Sequence, residues 1–288
     1  MSGGLLRDHV DAPTGEVNTR ADMARLASQL EAPPKGPLAT LGAIAKVNAS
    51  AVREFRHWPA FISEALRQAA LIATGSVLVI LVISFLAGGS CGLESSSLAR
   101  AFGTRPIAAG FSSWCTLREV VPFVFGYILA AKVGCGIVAE IGAMRVNEEV
   151  DALEAMGVRS LAHLVSSRLL AAVIVLPFTY LLAIGASYLA AYLMSAKRFG
   201  DVSGGTWSLF FYLFQDPTDL IYSAIKGLLI SAFVIATAVF YGYSVRGGPT
   251  EVGVATARSM AVNIMAVTVI SMAGTLVFWG ANPRIPFG

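Results

Sequence analysis

Three long stretches without a charged residue constrain this chain more than any other feature of its sequence. The charged residues that bound them are Arg67 and Glu94, Arg168 and Lys197, and Arg258 and Arg284. Each stretch exceeds the roughly 20 residues that a helix needs to cross about 30 Å of hydrocarbon. Because backbone groups in lipid must satisfy their own hydrogen bonds, such stretches form helices. The sequence therefore predicts an all-α integral membrane protein.

The overall composition agrees with a membrane protein and disfavours other classes. Only 14% of the 288 residues are charged and 56% are hydrophobic, whereas soluble domains are roughly one quarter charged. A formal net charge of +3 is too small to indicate a nucleic-acid partner. We therefore expect the membrane itself, and no nucleic acid, among the partners.

The N-terminal part of the chain divides into two segments of different character. Residues 1–40 are polar and end in a Pro-rich stretch, which predicts a flexible cytoplasmic tail. In residues 41–67, apolar residues recur at helical spacing with basic residues between them. This pattern predicts an interfacial amphipathic helix on the membrane surface. The alternative is an amphipathic helix that packs on another protein.

Residues 68–288 are predicted to form the transmembrane domain, with five spanning helices. Their predicted limits are about 68–87, 120–144, 169–194, 220–245 and 259–279. The first is expected to end at Gly88–Gly92, and residues 94–117 are expected to form a loop or a partly re-entrant hairpin. If the N-terminus is cytoplasmic, eight arginines flank the cytoplasmic ends of the spans and six basic residues flank the outer ends. This excess favours a cytoplasmic N-terminus. The C-terminus is then extracytoplasmic.

A short amphipathic helix is predicted at about 146–157, between the second and third spans. At about 100° per residue, three carboxylates share one arc of this helix: Glu148, Asp151 and Glu154. An apolar ridge, interrupted by Glu149, consists of Val150, Leu153 and Met156. Such a helix can enter a groove on a partner while its carboxylates pair with basic residues at the rim. A solvated connecting helix is the alternative.

Several motifs resemble those of the MlaE/YrbE permease family, in order and spacing, over roughly residues 68–280. The central motif comprises Glu140-Ile-Gly-Ala-Met-Arg145, Glu148-Glu-Val-Asp151-Ala-Leu-Glu154-Ala-Met-Gly157 and Arg168-Leu-Leu-Ala. The start of the second span, Arg118-Glu119-Val-Val-Pro122, is similar to the family's Arg-Glu-Leu-Gly-Pro. The last cytoplasmic loop, with Gly247-Gly248-Pro249 and Ala257-Arg258-Ser259, looks like that of a B-type YrbE subunit.

This resemblance implies a permease subunit of an ABC transporter for lipids in the bacterial cytoplasmic membrane. Its implied partners are a second permease, identical or not, a cytoplasmic ABC ATPase and extracytoplasmic MCE-domain proteins. ATP and Mg²⁺ would bind the ATPase, and this chain would hold no cofactor. The residues implied to contact the ATPase are Glu148, Asp151, Leu153, Glu154 and Met156. The resemblance leaves the lipid and the direction of transport open.

Charged residues inside or beside the spans are candidates for a lipid cavity. A charge within a membrane normally faces a cavity or a partner, and the candidates are Lys132, Lys226 and Glu94. Lys132 and Glu94 stand where the family commonly has Arg and Gln, so the ligand can differ from that of phospholipid-handling members. For Lys132 the alternative is a structural pair with Glu94 or Glu140. For Lys226 it is snorkelling to the outer interface.

Enzymatic activity is not expected in this chain. No Gly-Lys dipeptide occurs, so there is no P-loop to bind nucleotide phosphates. The three histidines are isolated in sequence, and no catalytic or metal-binding arrangement is visible. The three cysteines are interpreted as small apolar residues within helices. Two other functions stay open: a secondary transporter or channel with Lys132 and Glu140 as an ion relay, and a scaffold without transport activity.

Overall fold

The structure is a computed structural model, and it describes residues 36–54, 61–157, 160, 162–198 and 202–280. Nearly all of the predicted N-terminal tail lies outside these residues. The chain divides into two compact units, residues 1–49 and 50–288. A helix at Pro37–Glu54 includes the described part of the first unit. Residues 55–60, within the predicted interfacial helix, also lie outside the described ranges.

Five helices of the second unit are long and apolar enough to cross a membrane. In chain order, these spans one to five are Ile62–Ala101, Arg105–Val146, His163–Lys197, Pro217–Tyr243 and Pro249–Trp279. No strand occurs among the described residues. The predicted all-α membrane fold with five spans is confirmed. Every helix begins before its predicted start and the first three also end later, because polar residues that flank the apolar stretches continue the same helices. Span four ends at Tyr243, two residues before its predicted limit, and span five ends at Trp279, as predicted.

Span one does not end at Gly88–Gly92, as the sequence predicted. Its helix continues to Ala101, and only residues 102–104 separate it from span two. The glycines serve close packing rather than helix termination. A Cβ at Gly88 would lie 2.3 Å from the carbonyl oxygen of Ser187 in span three, so only glycine allows this approach. The Oγ of Ser187 also donates a hydrogen bond of 2.8 Å to the carbonyl oxygen of Ser84.

Spans one and three run parallel to each other. Ala69, near the start of span one, packs with Ala171 and Val175 near the start of span three. Towards the other end, Gly92 approaches the backbone of Ala191. The two helices therefore enter the membrane from the same side and remain in contact over most of their length.

Span two is not a uniform α-helix, because it contains two π-helical turns. Its segments are Arg105–Ile107 (3-10), Ala108–Trp114 (α), Cys115–Val120 (π), Val121–Ile128 (α), Leu129–Gly134 (π) and Cys135–Val146 (α). Each π turn inserts one extra residue into a helix turn and rotates the side chains that follow. Span three likewise begins with a π turn at Ala162–Ser166 and ends with another at Leu193–Arg198.

Two short helices lie between the spans. Glu149–Ala155 connects spans two and three, and Gly204–Leu213 precedes span four. The second of these packs its Trp207 and Phe211 against Ala109 and Ala196. Nε1 of Trp207 also donates a hydrogen bond of 2.7 Å to Oγ of Ser195. The polar and aromatic segment before span four is therefore anchored to the ends of spans two and three.

Cys91 and Cys115 form a disulfide between spans one and two. This corrects the interpretation of the cysteines as apolar filler, which holds only for Cys135, whose thiol is free. The sequence did not indicate the pair because span one was expected to end near Cys91. In the structure its helix continues beside the first turns of span two, which brings the two cysteines together.

Candidate functional site

The short helix after span two begins at a residue with an unusual backbone conformation. Glu148 has a φ of 60°, in the left-handed region that residues other than glycine rarely adopt. The helix proper is Glu149–Ala155, and Gly157, with a φ of 78°, follows it. Glu148 therefore stands before the helix, which corrects the prediction that it continues the arc of Asp151 and Glu154.

Arg145, at the end of span two, holds this short helix against span four. Its guanidinium lies 3.3 Å from the Oδ1 of Asp151 and covers the ring of Tyr243 at 4.6 Å. Its Nε donates to the carbonyl oxygen of Tyr243 over 3.1 Å. The hydroxyl of Ser160 in turn bonds to Glu154 and to the hydroxyl of Tyr243. The helix is thus attached at both ends to the same tyrosine.

The two sides of the short helix differ from the predicted ridge and arc. Val150 is fully buried in the protein itself, Leu153 is half-buried, and Met156 is 70% exposed. The side chain of Asp151 is 69% exposed despite its ion pair. The exposed surface of this segment therefore combines acidic groups with Met156, while Val150 fixes the helix to the bundle. We name residues 148–157 the docking segment.

Near the docking segment, Glu140 joins three spans by polar contacts. Its Oε1 lies 2.9 Å from the guanidinium of Arg168 in span three. The same oxygen accepts a hydrogen bond of 3.3 Å from Gln68 in span one, which also donates to Glu64. Arg168 is buried, with only 1% of its side chain exposed. Glu140 is thus paired with Arg168 rather than with Lys132, so this geometry gives no support to a Lys132–Glu140 relay.

Lys132 lies on an exposed face of span two, within the second π turn. The neighbouring exposed residues on this face are Ala131, Gly136 and Ala139. Across the described residues, Lys132 has neither an ion pair nor a hydrogen bond. Span five borders the same face, because the hydroxyls of Tyr127 and Thr268 are 3.0 Å apart. Glu94, the second cavity candidate, is exposed on span one, three residues after Cys91 of the disulfide.

Lys226 has a contrasting environment in the interior of the bundle. Its side chain is fully buried, and its Nζ lies 3.1 Å from Oε2 of Glu119. It also donates to the carbonyl oxygen of Arg118 over 2.8 Å and to Thr275 over 2.7 Å. Lys226 therefore does not snorkel. Its enclosed position argues against the predicted lipid-cavity role, which remains a prediction for Lys132 and Glu94.

A second ion pair lies next to Lys226 and joins spans two, four and five. Arg118 contacts Oδ2 of Asp219 at 2.6 Å, and both side chains are almost completely buried. Nε1 of Trp279 donates to the other oxygen of Asp219 over 2.7 Å. Arg118 also lies over the rings of Trp114 and Trp279, at 4.4 and 5.5 Å. We name Arg118, Glu119, Asp219, Lys226, Thr275 and Trp279 the Arg118–Lys226 network.

The sequence identified three residues of the Arg118–Lys226 network, but it did not predict which of its side chains contact one another. Arg118 and Glu119 were singled out by their motif, and Lys226 by its place inside a span. Asp219 and Trp279 received no role, although an acid at the first turn of a span and a terminal Trp are signals that could have been used. Among the described residues, no group of His, Cys, Asp or Glu could hold a metal ion.

Ionisable groups that pair inside a helical bundle are characteristic of membrane transport proteins, and comparisons with known proteins agree with that class. Residues 65–277 match the family described as "Permease MlaE". The chain therefore belongs to the MlaE permease family, and its class is that of an ABC lipid-transport permease.

Individual relatives support the same class. The "Probable ABC transporter permease protein" of Rickettsia bellii is 27% identical over 232 residues, which cover 81% of this chain and 89% of that protein. The "Intermembrane phospholipid transport system permease protein MlaE" of Haemophilus influenzae is 26% identical over 229 residues, 79% of this chain and 85% of that protein. "Protein TRIGALACTOSYLDIACYLGLYCEROL 1, chloroplastic" of Arabidopsis thaliana is 23% identical over 169 residues, 58% of this chain and 48% of that protein.

Proposed function

We propose that this chain transmits the ATP-driven motion of a partner ATPase to a lipid cavity that it forms with a second permease. The observation that carries this proposal is the docking segment. Its helix is tied to span four through Arg145 and Tyr243, so a force on the helix reaches the bundle directly. Asp151, Glu154 and Met156 are exposed around it, and acidic groups beside an apolar side chain suit a groove with a basic rim.

ATP and Mg²⁺ belong to the partner ATPase in this proposal. The permease lies in the bacterial cytoplasmic membrane with its N-terminus and docking segment in the cytoplasm. The disulfide between Cys91 and Cys115 supports this orientation, because disulfides persist in oxidising compartments. The bond lies in the halves of spans one and two that are farther from the docking segment. MCE-domain proteins at that oxidising side would exchange lipid with the cavity.

A second permease explains the position of Lys132. The side chain lies on an exposed face of a membrane-spanning helix, where hydrocarbon cannot solvate an ammonium group. Enclosure by a second copy or a close relative, with water or a headgroup inside, removes this cost. Within such a cavity Lys132 would hold an anionic headgroup as a point charge. The phospholipid named for the Haemophilus relative is one such substrate.

The docking assignment can be tested by reversing two charges of the docking segment. We expect the double variant Asp151→Lys and Glu154→Lys to insert in the membrane normally and to lose the co-purifying ATPase in mild detergent. Glu94→Lys is the matched control, because it reverses an exposed carboxylate in the part of span one that carries the disulfide. Retention of the ATPase by the double variant at the level of this control would show that the docking assignment is wrong.

A further inference from the structure

The exposed face of span two shifts by one residue at the second π turn. Before the turn, the half-buried Phe123 and Tyr127 mark this face, and within and after the turn the face contains the exposed Ala131, Lys132, Gly136 and Ala139. An uninterrupted α-helix would continue from Tyr127 through positions 131, 134, 138 and 141. In the structure Gly134 is buried, and Val138 and Ile141 are completely buried.

The π turn therefore determines where Lys132 points. In an uninterrupted α-helix, a residue five positions after Tyr127 would lie about 140° away from it around the helix axis. The extra residue in the π turn brings Lys132 onto the same face as Tyr127. Because a π turn is rare and less favourable than the α form, the surrounding structure must stabilise it at this position.

Asn263 in span five faces this π turn and is completely buried. Its Oδ1 and Nδ2 both lack a hydrogen-bond partner among the residues that the structure describes. A Cβ added at Gly134, the last residue of the turn, would lie 3.5 Å from this Nδ2 and 3.4 Å from the carbonyl oxygen of Leu129. An amide donor and a carbonyl acceptor thus both border the space beside Gly134, a residue without a side chain.

We infer that Asn263 is a positioning residue, which binds an ordered water between itself and the carbonyl oxygen of Leu129. A buried polar group is costly unless it is hydrogen-bonded, and a water with two or more polar partners is a common solution. The water would stabilise the π turn and thereby keep Lys132 on the exposed face. The water and the position of Lys132 do not depend on the proposed lipid cavity. Only the functional value of that position rests on the proposed role of Lys132.

The register of span two can be measured with thiols in the assembled complex. In a Cys135→Ser background, Cys91 and Cys115 are held in their disulfide, so an introduced cysteine is the reactive one. Ala139→Cys reports the exposed face and Val138→Cys reports the buried face. With a small maleimide and intact-mass detection, we expect position 139 to react faster than position 138. Equal or reversed rates in this parent would overturn the inference.

Two substitutions remove the water in different ways. Asn263→Leu removes both polar atoms, and Gly134→Ala places a methyl group beside the donor and the acceptor, where it would crowd the water. The Cβ of Gly134→Ala meets its neighbours at 3.4 Å or more, so this variant is expected to fold even if Asn263→Leu does not. We expect each variant to abolish or invert the difference in reactivity between positions 139 and 138.

Ser271→Ala is the matched control, because Ser271 is another buried residue of span five whose hydroxyl lacks a partner among the described residues. It should leave the difference unchanged. An unchanged difference in Gly134→Ala, and in Asn263→Leu where that variant folds, would overturn the inference. The readout is independent of lipid transport, so a failure of the proposed cavity role would be seen separately, in the transport of Lys132→Ala.

Discussion

The two lysines inside membrane spans occupy opposite environments. Lys226 is enclosed by Glu119, Thr275 and the backbone of Arg118, whereas Lys132 is exposed, with neither an ion pair nor a hydrogen bond within the described part of the chain. In hydrocarbon both charges are costly. Among the described residues, Lys226 has partners that offset this cost, whereas Lys132 has none that forms an ion pair or a hydrogen bond. The comparison contrasts a charge that is bound within the bundle with a charge that we propose to contact a ligand.

The largest effect is expected from removal of the enclosed lysine. Lys226→Ala leaves Glu119 and Thr275 without their buried partner, and such a loss destabilises by about 3 kcal/mol. The lower end of the usual range applies, because the side chain of Glu119 is 47% exposed. We expect less assembled complex and a lower thermal midpoint in detergent. Ile225→Ala, at an exposed position of the same helix, is the control.

If the effect of Lys226→Ala comes from leaving Glu119 without its partner, then removal of both charges should restore part of the lost stability. The pair Lys226→Met and Glu119→Gln removes both charges and keeps apolar contacts for the rest of the network. It should be more stable than Lys226→Ala alone. If Lys226→Ala is as stable as the Ile225→Ala control, the Arg118–Lys226 network does not contribute to the stability of the fold.

A smaller effect is expected from Trp279→Phe. This change keeps an aromatic ring near Arg118 but removes the Nε1 donor to the buried carboxylate of Asp219. A hydrogen bond to a charged group contributes about 1.5–3 kcal/mol, and Arg118 still pairs with Asp219. We therefore expect a modest decrease in thermal midpoint, between those of the wild-type protein and Lys226→Ala. A decrease as large as that of Lys226→Ala would place Trp279 at the centre of the network.

The smallest effect on stability is expected at the exposed lysine. Lys132→Ala removes no hydrogen bond or ion pair among the described residues, so the free energy of unfolding should change by no more than about 0.5 kcal/mol and the thermal midpoint should barely move. Lipid transport by the assembled complex should nevertheless decrease, and Lys132→Arg should retain part of it because the charge is kept. Lys197→Ala, at an exposed site near the end of span three, is the control. Normal transport by a normally assembled Lys132→Ala complex would exclude the cavity role.

The sequence predicted what depends on local patterns. The apolar stretches predict five helices, and Gly157 marks the end of the docking helix, which the structure has at Glu149–Ala155. The backbone turn at Glu148 was not predicted, because its φ of 60° depends on contacts that seat Val150 in the bundle. Helix periodicity alone therefore placed Glu148 on the wrong part of the arc.

The sequence could not predict contacts between residues far apart in the chain. Arg118 and Asp219 are separated by 101 positions, and Lys226 meets residues of spans two and five. Their pairing depends on how the helices rotate and slide against one another, which the π turns of span two alter by one residue. Cys91 and Cys115 were missed for a related reason, because glycines that serve packing were taken for the end of a helix.

The backbone contact between spans one and three has a mechanical consequence. Gly88 lies against the main chain of Ser187, and Gly92 lies against that of Ala191, so few flexible side chains separate the two helices there. Helices whose backbones are in such direct contact resist sliding along each other, because a shift would bring backbone atoms of the two helices into collision. We therefore expect spans one and three to move as a single stiff unit.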